Sequence, residues 1–182
     1  NSFGKISIYL RDRDTGNKTR ILQGGYQVEA EHVDQDLPLL DFSGDNTLGI
    51  IYFKRGFLYL ASYQIETGLL NEKPLTRFNQ IKSFSLNQNG RLAIISGDTD
   101  GKSDLFLVSV LRNSVRRITS DIFDDIDPTF IPGTAAIVFS SNRPSDALNI
   151  SDTSIKYFNP HFNLFLFDID TTTREYFRMT NT

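Results

Sequence analysis

The sequence contains no cysteine and no tryptophan, and only one methionine and two histidines among its 182 residues. The lack of cysteine excludes a disulfide framework, a thiolate nucleophile and a cysteine-based zinc site. No window approaches the run of about 18 apolar residues that a membrane-spanning helix needs. The first residues lack the charged and apolar regions of a signal peptide. The chain begins almost on a strand, so we expect it to be a segment of a longer protein.

Positive charge is also scarce. The formal net charge is −3 and the isoelectric point is about 5.3. Apart from two short pairs, the lysines and arginines are scattered, whereas nucleic-acid binding usually needs a basic stripe. An apolar content of 39%, with 15 phenylalanines, is instead typical of a folded domain with a core. These values argue against a nucleic-acid partner and against a disordered chain.

One pattern of an apolar strand, a polar turn and a second strand recurs along the chain. The copies cover 7–22, 57–78, 104–120 and 163–180, and they end near Arg-Ile/Leu/Met-Thr. Three further strand–turn–strand segments, at 39–53, 81–96 and 127–140, precede the last three copies. Repetition at a spacing of roughly 20–50 residues indicates a solenoid, a propeller or another array.

The composition of the strands distinguishes a propeller from a sandwich. Segments 50–53, 105–108, 136–139 and 164–167 are apolar at every position. Strands that are buried on both faces have such continuous apolar runs, whereas a sandwich leaves one polar face on each strand. Small sheets stacked around an axis bury both faces. We therefore predict an all-β protein, a β-propeller segment of about 3.5 four-stranded antiparallel blades, with strands A to D in each blade.

The predicted partial propeller covers residues 1–182. It divides into a half blade and three full blades, the last of which carries an insertion at 143–161. The predicted boundaries are 5–22 for the half blade and 37–78, 81–120 and 126–180 for the full blades.

Several short segments resemble the TolB-like, WD-like propeller repeat family. They are DDIDPTF at 124–130, FSSNR at 139–143, GDTDGKSDLF at 97–106 and RIT at 117–119. The resemblance implies a partial propeller of a six- to eight-bladed family. It also implies a bacterial protein of the periplasm or cell envelope, or an extracellular one, that binds another protein and is completed by the remaining blades of its parent chain. Such repeats also occur as non-catalytic propellers beside peptidase domains.

In a propeller, the D–A and B–C loops share one rim. This loop rim would collect 13 of the 22 acidic residues against five basic ones. A field of one sign attracts partners of the opposite charge, which favours a basic peptide, a basic protein segment or a cation. The alternative is that aspartate simply dominates tight turns. The candidate binding residues are Asp98, Asp100, Asp104, Asp124, Asp125, Asp127, Arg143, Tyr157, Phe158 and His161.

Two features of this candidate set have competing interpretations. The segment DTDGKSD at 98–104 resembles an oxygen-ligand loop for calcium, but it lacks the downstream glutamate of an EF-hand, which favours a turn. The insertion interrupts the repeat, and such insertions often lie on the binding face. Its Tyr157, Phe158 and His161 belong to residue types that suit a binding surface, although a flap covering the rim is an equal alternative.

Nothing in the sequence indicates catalysis. There is no Gly-x-Ser-x-Gly elbow and no pair of histidines at metal-ligand spacing. We therefore expect no catalytic residues, no metal site and no cofactor. The predicted function is that of a non-catalytic protein-binding scaffold. The alternatives are the accessory propeller of a larger peptidase or hydrolase, and a propeller that binds or processes carbohydrate.

Overall fold

The computed structural model describes residues 5–25, 37–44, 46–99, 101–143, 161–170 and 176–180. All regular structure in these ranges is β-strand, without a helix. The 14 strands are β1 (Lys5–Arg11), β2 (Lys18–Gly25), β3 (Leu39–Phe42), β4 (Thr47–Lys54), β5 (Phe57–Gln64), β6 (Leu70–Pro74), β7 (Gln80–Leu86), β8 (Leu92–Asp98), β9 (Ser103–Ser109), β10 (Val115–Arg117), β11 (Asp125–Phe130), β12 (Ala136–Ser141), β13 (Asn163–Asp168) and β14 (Tyr176–Arg178).

The strands form a two-stranded unit followed by three four-stranded units. Strands β1 and β2 are an antiparallel hairpin, and β3–β6, β7–β10 and β11–β14 each pair in chain order, all antiparallel. Among the described strands, one parallel pair, Gly25 with Lys54, connects the hairpin to the backbone ladder of the next unit, and apolar side chains of both units pack in one cluster. The predicted all-β propeller segment with one half unit and three full units is therefore confirmed.

The two four-stranded sheets that lie between other sheets, β3–β6 and β7–β10, use both faces for packing. We define the forward face of a sheet as the one toward the next sheet in the chain, and the backward face as the one toward the preceding sheet. Leu58 and Leu60 of β5 lie on a forward face, in one cluster with Phe106 of β9. On the next forward face, Leu105 and Leu107 of β9 form a cluster with aromatic residues of the last sheet.

The burial of these side chains explains the continuous apolar runs. Phe106 is 1% exposed, Phe165 is 0% exposed and Tyr59 is half-buried. Neighbouring residues on one strand point to opposite faces, so a strand between two other sheets must be apolar at every position. A two-layer sandwich would have left alternate positions in water.

Glycine also permits close packing between the strands and their neighbours. A Cβ atom on Gly97 of β8 would lie 2.4 Å from the Phe78 ring. That ring in turn makes an edge-to-face contact with Phe106, with 4.9 Å between centroids. A larger residue at position 97 would therefore displace the aromatic pair that packs the link after β6 against β9.

Polar contacts add to the packing at the outer edges of the sheets. Lys73 of β6 donates from Nζ to the carbonyls of Ser109 (2.8 Å) and Arg112 (3.0 Å) of the next unit. Arg116 of β10 donates from Nη2 to the carbonyl of Ile169, 3.3 Å away. Lys73 pairs with Leu60 and Arg116 pairs with Leu107, so the two cations hold equivalent positions in successive sheets.

The packing predicts a large effect of truncating the aromatic side chain between the second and third units. Phe106→Ala should lower the free energy of unfolding by about 3–5 kcal/mol, because the change removes buried contacts and leaves a cavity. Leu111→Ala is the control, since Leu111 is 66% exposed on a turn, and it should change stability by less than about 0.5 kcal/mol. Denaturant unfolding measures both. Equal effects of the two changes would contradict the described core.

Candidate functional site

A buried arginine organises the loop rim between the last two sheets. Arg143 follows β12, and its side chain is 0% exposed. Its Nη2 lies 2.7 and 2.8 Å from the two carboxylate oxygens of Asp125, and its Nη1 lies 3.2 Å from Asp121 Oδ2. Its guanidinium carbon lies 5.7 Å from the ring centroid of Phe139 and 5.5 Å from that of Phe165. One cation is thus held by two carboxylates and two aromatic rings.

This network joins a strand end to the D–A link. Asp121 lies in the link that follows β10, and Asp125 begins β11. The Ser96 hydroxyl of the preceding sheet donates to the Asp125 carbonyl at 2.7 Å. Burial raises the pKa of Asp125 to about 6, against the opposing effect of Arg143. Since a buried charge is stable only when it is paired, Asp121, Asp125 and Arg143 form a structural unit.

A second network closes the preceding sheet. Asp104 is 1% exposed and pairs with Arg117, and it also accepts a bond from the Thr119 hydroxyl. Thr119 Oγ1 accepts the amide of Leu105 at 2.9 Å, and Arg117 Nε donates to the Thr119 carbonyl. Burial raises the pKa of Asp104, although Arg117 opposes the shift.

The last sheet repeats this pattern at its own end. Arg178 Nε donates to the Thr180 carbonyl at 2.8 Å, and the Leu164 amide donates to Thr180 Oγ1 at 2.9 Å. The recurring Arg-x-Thr sequence is therefore a device that ties the outermost strand of a sheet to the strand beside it.

Two other candidate acids accept backbone amides. Asp124 Oδ1 accepts the amide of Ser103 at 3.1 Å, and the Asp124 amide donates to Asn142 Oδ1. Asp98 Oδ1 accepts the amide of Gly101 within its own turn. Both side chains are half-buried. These contacts give each carboxylate a role in the shape of the loops.

The remaining candidates divide between the surface and the part of the chain that is not described. Asp127 is exposed at a bulge of β11 with φ of 51°, and its amide donates to the Ser83 hydroxyl at 3.0 Å. His161 is exposed just before β13. Asp100, Tyr157 and Phe158 lie outside the described residues. The structure brings Asp104, Asp125 and Arg143 into ion pairs, and it leaves Asp127 and His161 accessible.

Sequence reasoning missed two aromatic residues at this rim. Phe57 begins β5 directly after the B–C turn and is 56% exposed, and Phe162 precedes β13 and is 41% exposed. Each is the first aromatic residue after a B–C loop, and that position was the available signal. The Thr119 contact was also missed, because it depends on a neighbouring strand.

The pairing changes the expected electrostatics of the rim. Three of its acids, Asp104, Asp121 and Asp125, are buried against arginines and add little charge at the surface. In the described ranges, Asp98, Asp124 and Asp127 remain partly or fully accessible, and Arg55 and Lys102 on the same rim are exposed. No three His, Cys, Asp or Glu side chains among the described residues are grouped so that they could hold a metal ion. The same ranges contain no helix that is long and apolar enough to cross a membrane.

Comparison with known proteins supports the architecture. No family profile and no curated protein sequence matches the chain. TolB from Acinetobacter baumannii aligns with 98% of this chain and 42% of its own length, at a TM-score of 0.62 and 15% identity. The putative TolB from Agrobacterium tumefaciens aligns with 98% of this chain and 58% of its own, at a TM-score of 0.62 and 18% identity.

The tricorn protease is a third structural neighbour. It aligns with 91% of this chain and only 17% of its own length, at a TM-score of 0.54 and 15% identity. TolB and the tricorn protease both contain β-propellers, and identities this low establish the fold alone. The chain is thus a β-propeller segment of the TolB-like type of architecture, and it spans about half the length of the TolB structures it matches.

The buried network predicts a pH-dependent effect of removing its arginine. Arg143→Ala leaves the Asp121 and Asp125 carboxylates buried without their cation and should cost about 3–5 kcal/mol at pH 7. Losing Arg143 raises the folded-state pKa of Asp125 further above its unfolded value. Stability from such a group is present at low pH and is lost as pH rises through the folded-state pKa. Acidification toward pH 5 should therefore reduce the difference in the free energy of unfolding between Arg143→Ala and the unmutated protein.

Denaturant unfolding at several pH values provides the measurement. Arg112→Ala is the control, because Arg112 is exposed and its replacement should be nearly neutral at every pH. This account of the network would be contradicted if the difference in the free energy of unfolding between Arg143→Ala and the unmutated protein stayed constant or increased on acidification.

Proposed function

We propose that the chain is a non-catalytic scaffold that binds a protein or peptide at the loop rim formed by its B–C and D–A loops. The observation that carries the proposal is the pairing of exposed aromatic and acidic side chains there. Phe57 and Phe162 are 56% and 41% exposed, and Asp98 and Asp127 are accessible on the same rim. Exposed aromatic side chains next to polar groups are typical of binding surfaces.

The accessible groups indicate the chemistry of the partner. Asp98 and Asp127 favour a segment with lysine or arginine, and the two phenylalanines favour an apolar or aliphatic side chain beside it. Arg55 and Lys102 lie on the same rim, so its charge is mixed. The partner would therefore be chosen by the pattern of charges and by the apolar contacts, and overall attraction to a basic chain would contribute less.

The resemblance to TolB supports a location in the bacterial periplasm or cell envelope, or outside the cell. It also supports completion of the ring by remaining blades of a longer protein, with a half blade at 5–22 and full blades at 37–78, 81–120 and 126–180, the last with its insertion at 143–161. The absence of a cofactor, of a metal and of enzymatic activity belongs to the same proposal.

A second candidate function is that of an accessory propeller in a larger peptidase. The observation that favours it is the structural likeness to the tricorn protease. In that case the chemistry would lie elsewhere in the parent protein, and this segment would contribute recognition or access. The carbohydrate-binding alternative stays a prediction from the sequence.

Peptide arrays with systematically varied lysine, arginine and aliphatic residues test the rim. One triple variant combines Asp98→Asn, Asp127→Asn and Phe57→Ser. Peptides that bind the unmutated chain should bind this variant about tenfold or more weakly, because binding surfaces depend on a few contacts. Asparagine suits position 127, because it tolerates the positive φ there. Added salt should weaken the binding of basic peptides.

The matched control places the same kinds of change at the opposite rim. Asp14→Asn and Leu111→Ser alter exposed residues on the C–D turns and should leave peptide binding unchanged. Two results would exclude the rim as the binding surface. They are an equal loss of binding in the rim variant and in the control variant, and the absence of any peptide on the array that binds the unmutated chain.

A further inference from the structure

The four units share one packing rule along their third strands. In each unit, an aromatic residue lies on the backward face of this strand, between two aliphatic residues on its forward face. The aromatic residues are Tyr9, Tyr59, Phe106 and Phe165, and the aliphatic pairs are Ile8 with Leu10, Leu58 with Leu60, Leu105 with Leu107, and Leu164 with Leu166. Each aliphatic pair packs in one cluster with the aromatic residue of the next unit in three successive cases.

The rule leaves one aromatic residue and one aliphatic pair without a described counterpart. Tyr9 lies on the backward face of the β1–β2 hairpin, which we call its outer face, and is 55% exposed. The equivalent Phe106 and Phe165 are buried. At the other end, Leu164 is 40% exposed although the equivalent Leu58 and Leu105 are 5% and 0% exposed. The two ends of the stack therefore carry the two halves of one interface.

The forward face of the last sheet is apolar across three strands. Val138 pairs with Leu166, which pairs with Phe177, and residues paired across strands lie on the same face. Phe177 is 58% exposed, and Met179, two residues further along the chain, is 56% exposed. Such an apolar face on a sheet edge is characteristic of an interaction surface.

The outer edge of the last sheet differs from the earlier sheets in a way that fits the hairpin. Phe177 pairs with Leu166, so it holds the position of Lys73 and Arg116, which donate to carbonyls at the end of the next third strand. In the hairpin, the carbonyl that corresponds to that of Ser109 belongs to Asp12 and already accepts the Gly16 amide at 3.0 Å, whereas the position of Ile169 corresponds to Arg13. An apolar residue can therefore pack opposite this turn without leaving the Asp12 carbonyl unpaired.

Charge also distinguishes the two ends. The outer face of the hairpin carries the exposed Arg11, Lys18 and Arg20 around Tyr9, as the strand register shows. The last sheet carries Asp168 on its forward face, and Asp170 lies two residues beyond the end of β13. A contact between two hairpins would bring like charges together, whereas a contact between a hairpin and a last sheet pairs opposite charges.

We propose that the chain, where no further blades of a longer protein cover its two end sheets, associates head to tail, with the forward face of the β11–β14 sheet of one copy packed on the outer face of the β1–β2 hairpin of another. The contact extends the interface that already joins successive sheets. It is heterologous, so it closes into a ring or continues as an open chain. Two copies would contribute eight sheets, counting each hairpin as one, within the range of about four to eight blades seen in closed propellers.

Cross-linking tests the direction of the contact in a chain that has no cysteine of its own. Arg13→Cys places a thiol beside the Asp12 turn, and Phe177→Cys places one at the edge of the forward face. A short thiol cross-linker should join the two variants when they are mixed, and it should join neither variant to itself. A cross-link within Phe177→Cys alone would show contact between two forward faces and would overturn the proposal.

Sedimentation measures the association itself. The unmutated chain should form dimers or larger species at about 100 µM. Leu166→Asp should weaken this association about tenfold or more, because it places a charge in an apolar contact. Phe177→Asp serves as a second variant on an already exposed site, in case Leu166→Asp does not fold. Leu111→Asp makes the same change on an exposed turn and should associate like the parent. A monomeric parent, or equal loss in Leu111→Asp, would overturn the proposal. Rim variants that lose peptide binding should still associate, so the two proposals fail separately.

Discussion

The stacking of small sheets that are apolar on both sides determines the rest of this structure. A sheet such as β7–β10 places Phe106 toward one neighbour and Leu105 toward the other, and it cannot leave either side in water without losing the burial that stabilises it. The order of the sheets therefore follows the order of the chain, and each loop is confined to one of two rims. The position of each candidate residue in the described ranges derives from this arrangement.

The buried ion pairs at the loop rim follow from the same stacking. Where one sheet ends and the next begins, the chain must cross between layers, and its polar groups are enclosed as the layers close. Asp125 and Arg143 satisfy each other there, at 2.7 and 2.8 Å, and Thr119 satisfies the amide of Leu105. Asp104, Asp121 and Asp125 thus contribute to the structure of the sheet ends, and the proposed recognition would rest on Phe57, Phe162, Asp98 and Asp127.

The architecture could be predicted from the sequence because its signals are local. Runs such as Leu105–Val108, repeated with similar turns, indicate strands that are buried on two sides without any knowledge of their neighbours. The pairing of the acids with arginines could not be predicted, because Asp125 and Arg143 are 18 positions apart and meet only after β11 and β12 pair. A single arginine directly after a strand, within a rim of aspartates, was the available signal. The exposure of Phe57 likewise depends on which turn reaches the rim.

The burial of Arg143 has a practical consequence for protein engineering. The segment 144–160 starts beside a side chain that is fixed by two carboxylates and two rings, and it rejoins the chain close to Asn163, which is 1% exposed at the start of β13. Both attachment points are thus held by the sheets themselves. This segment is therefore the place where foreign sequences, such as epitopes or reporter peptides, should be tested first, because Arg143 and Asn163 on either side of it are buried.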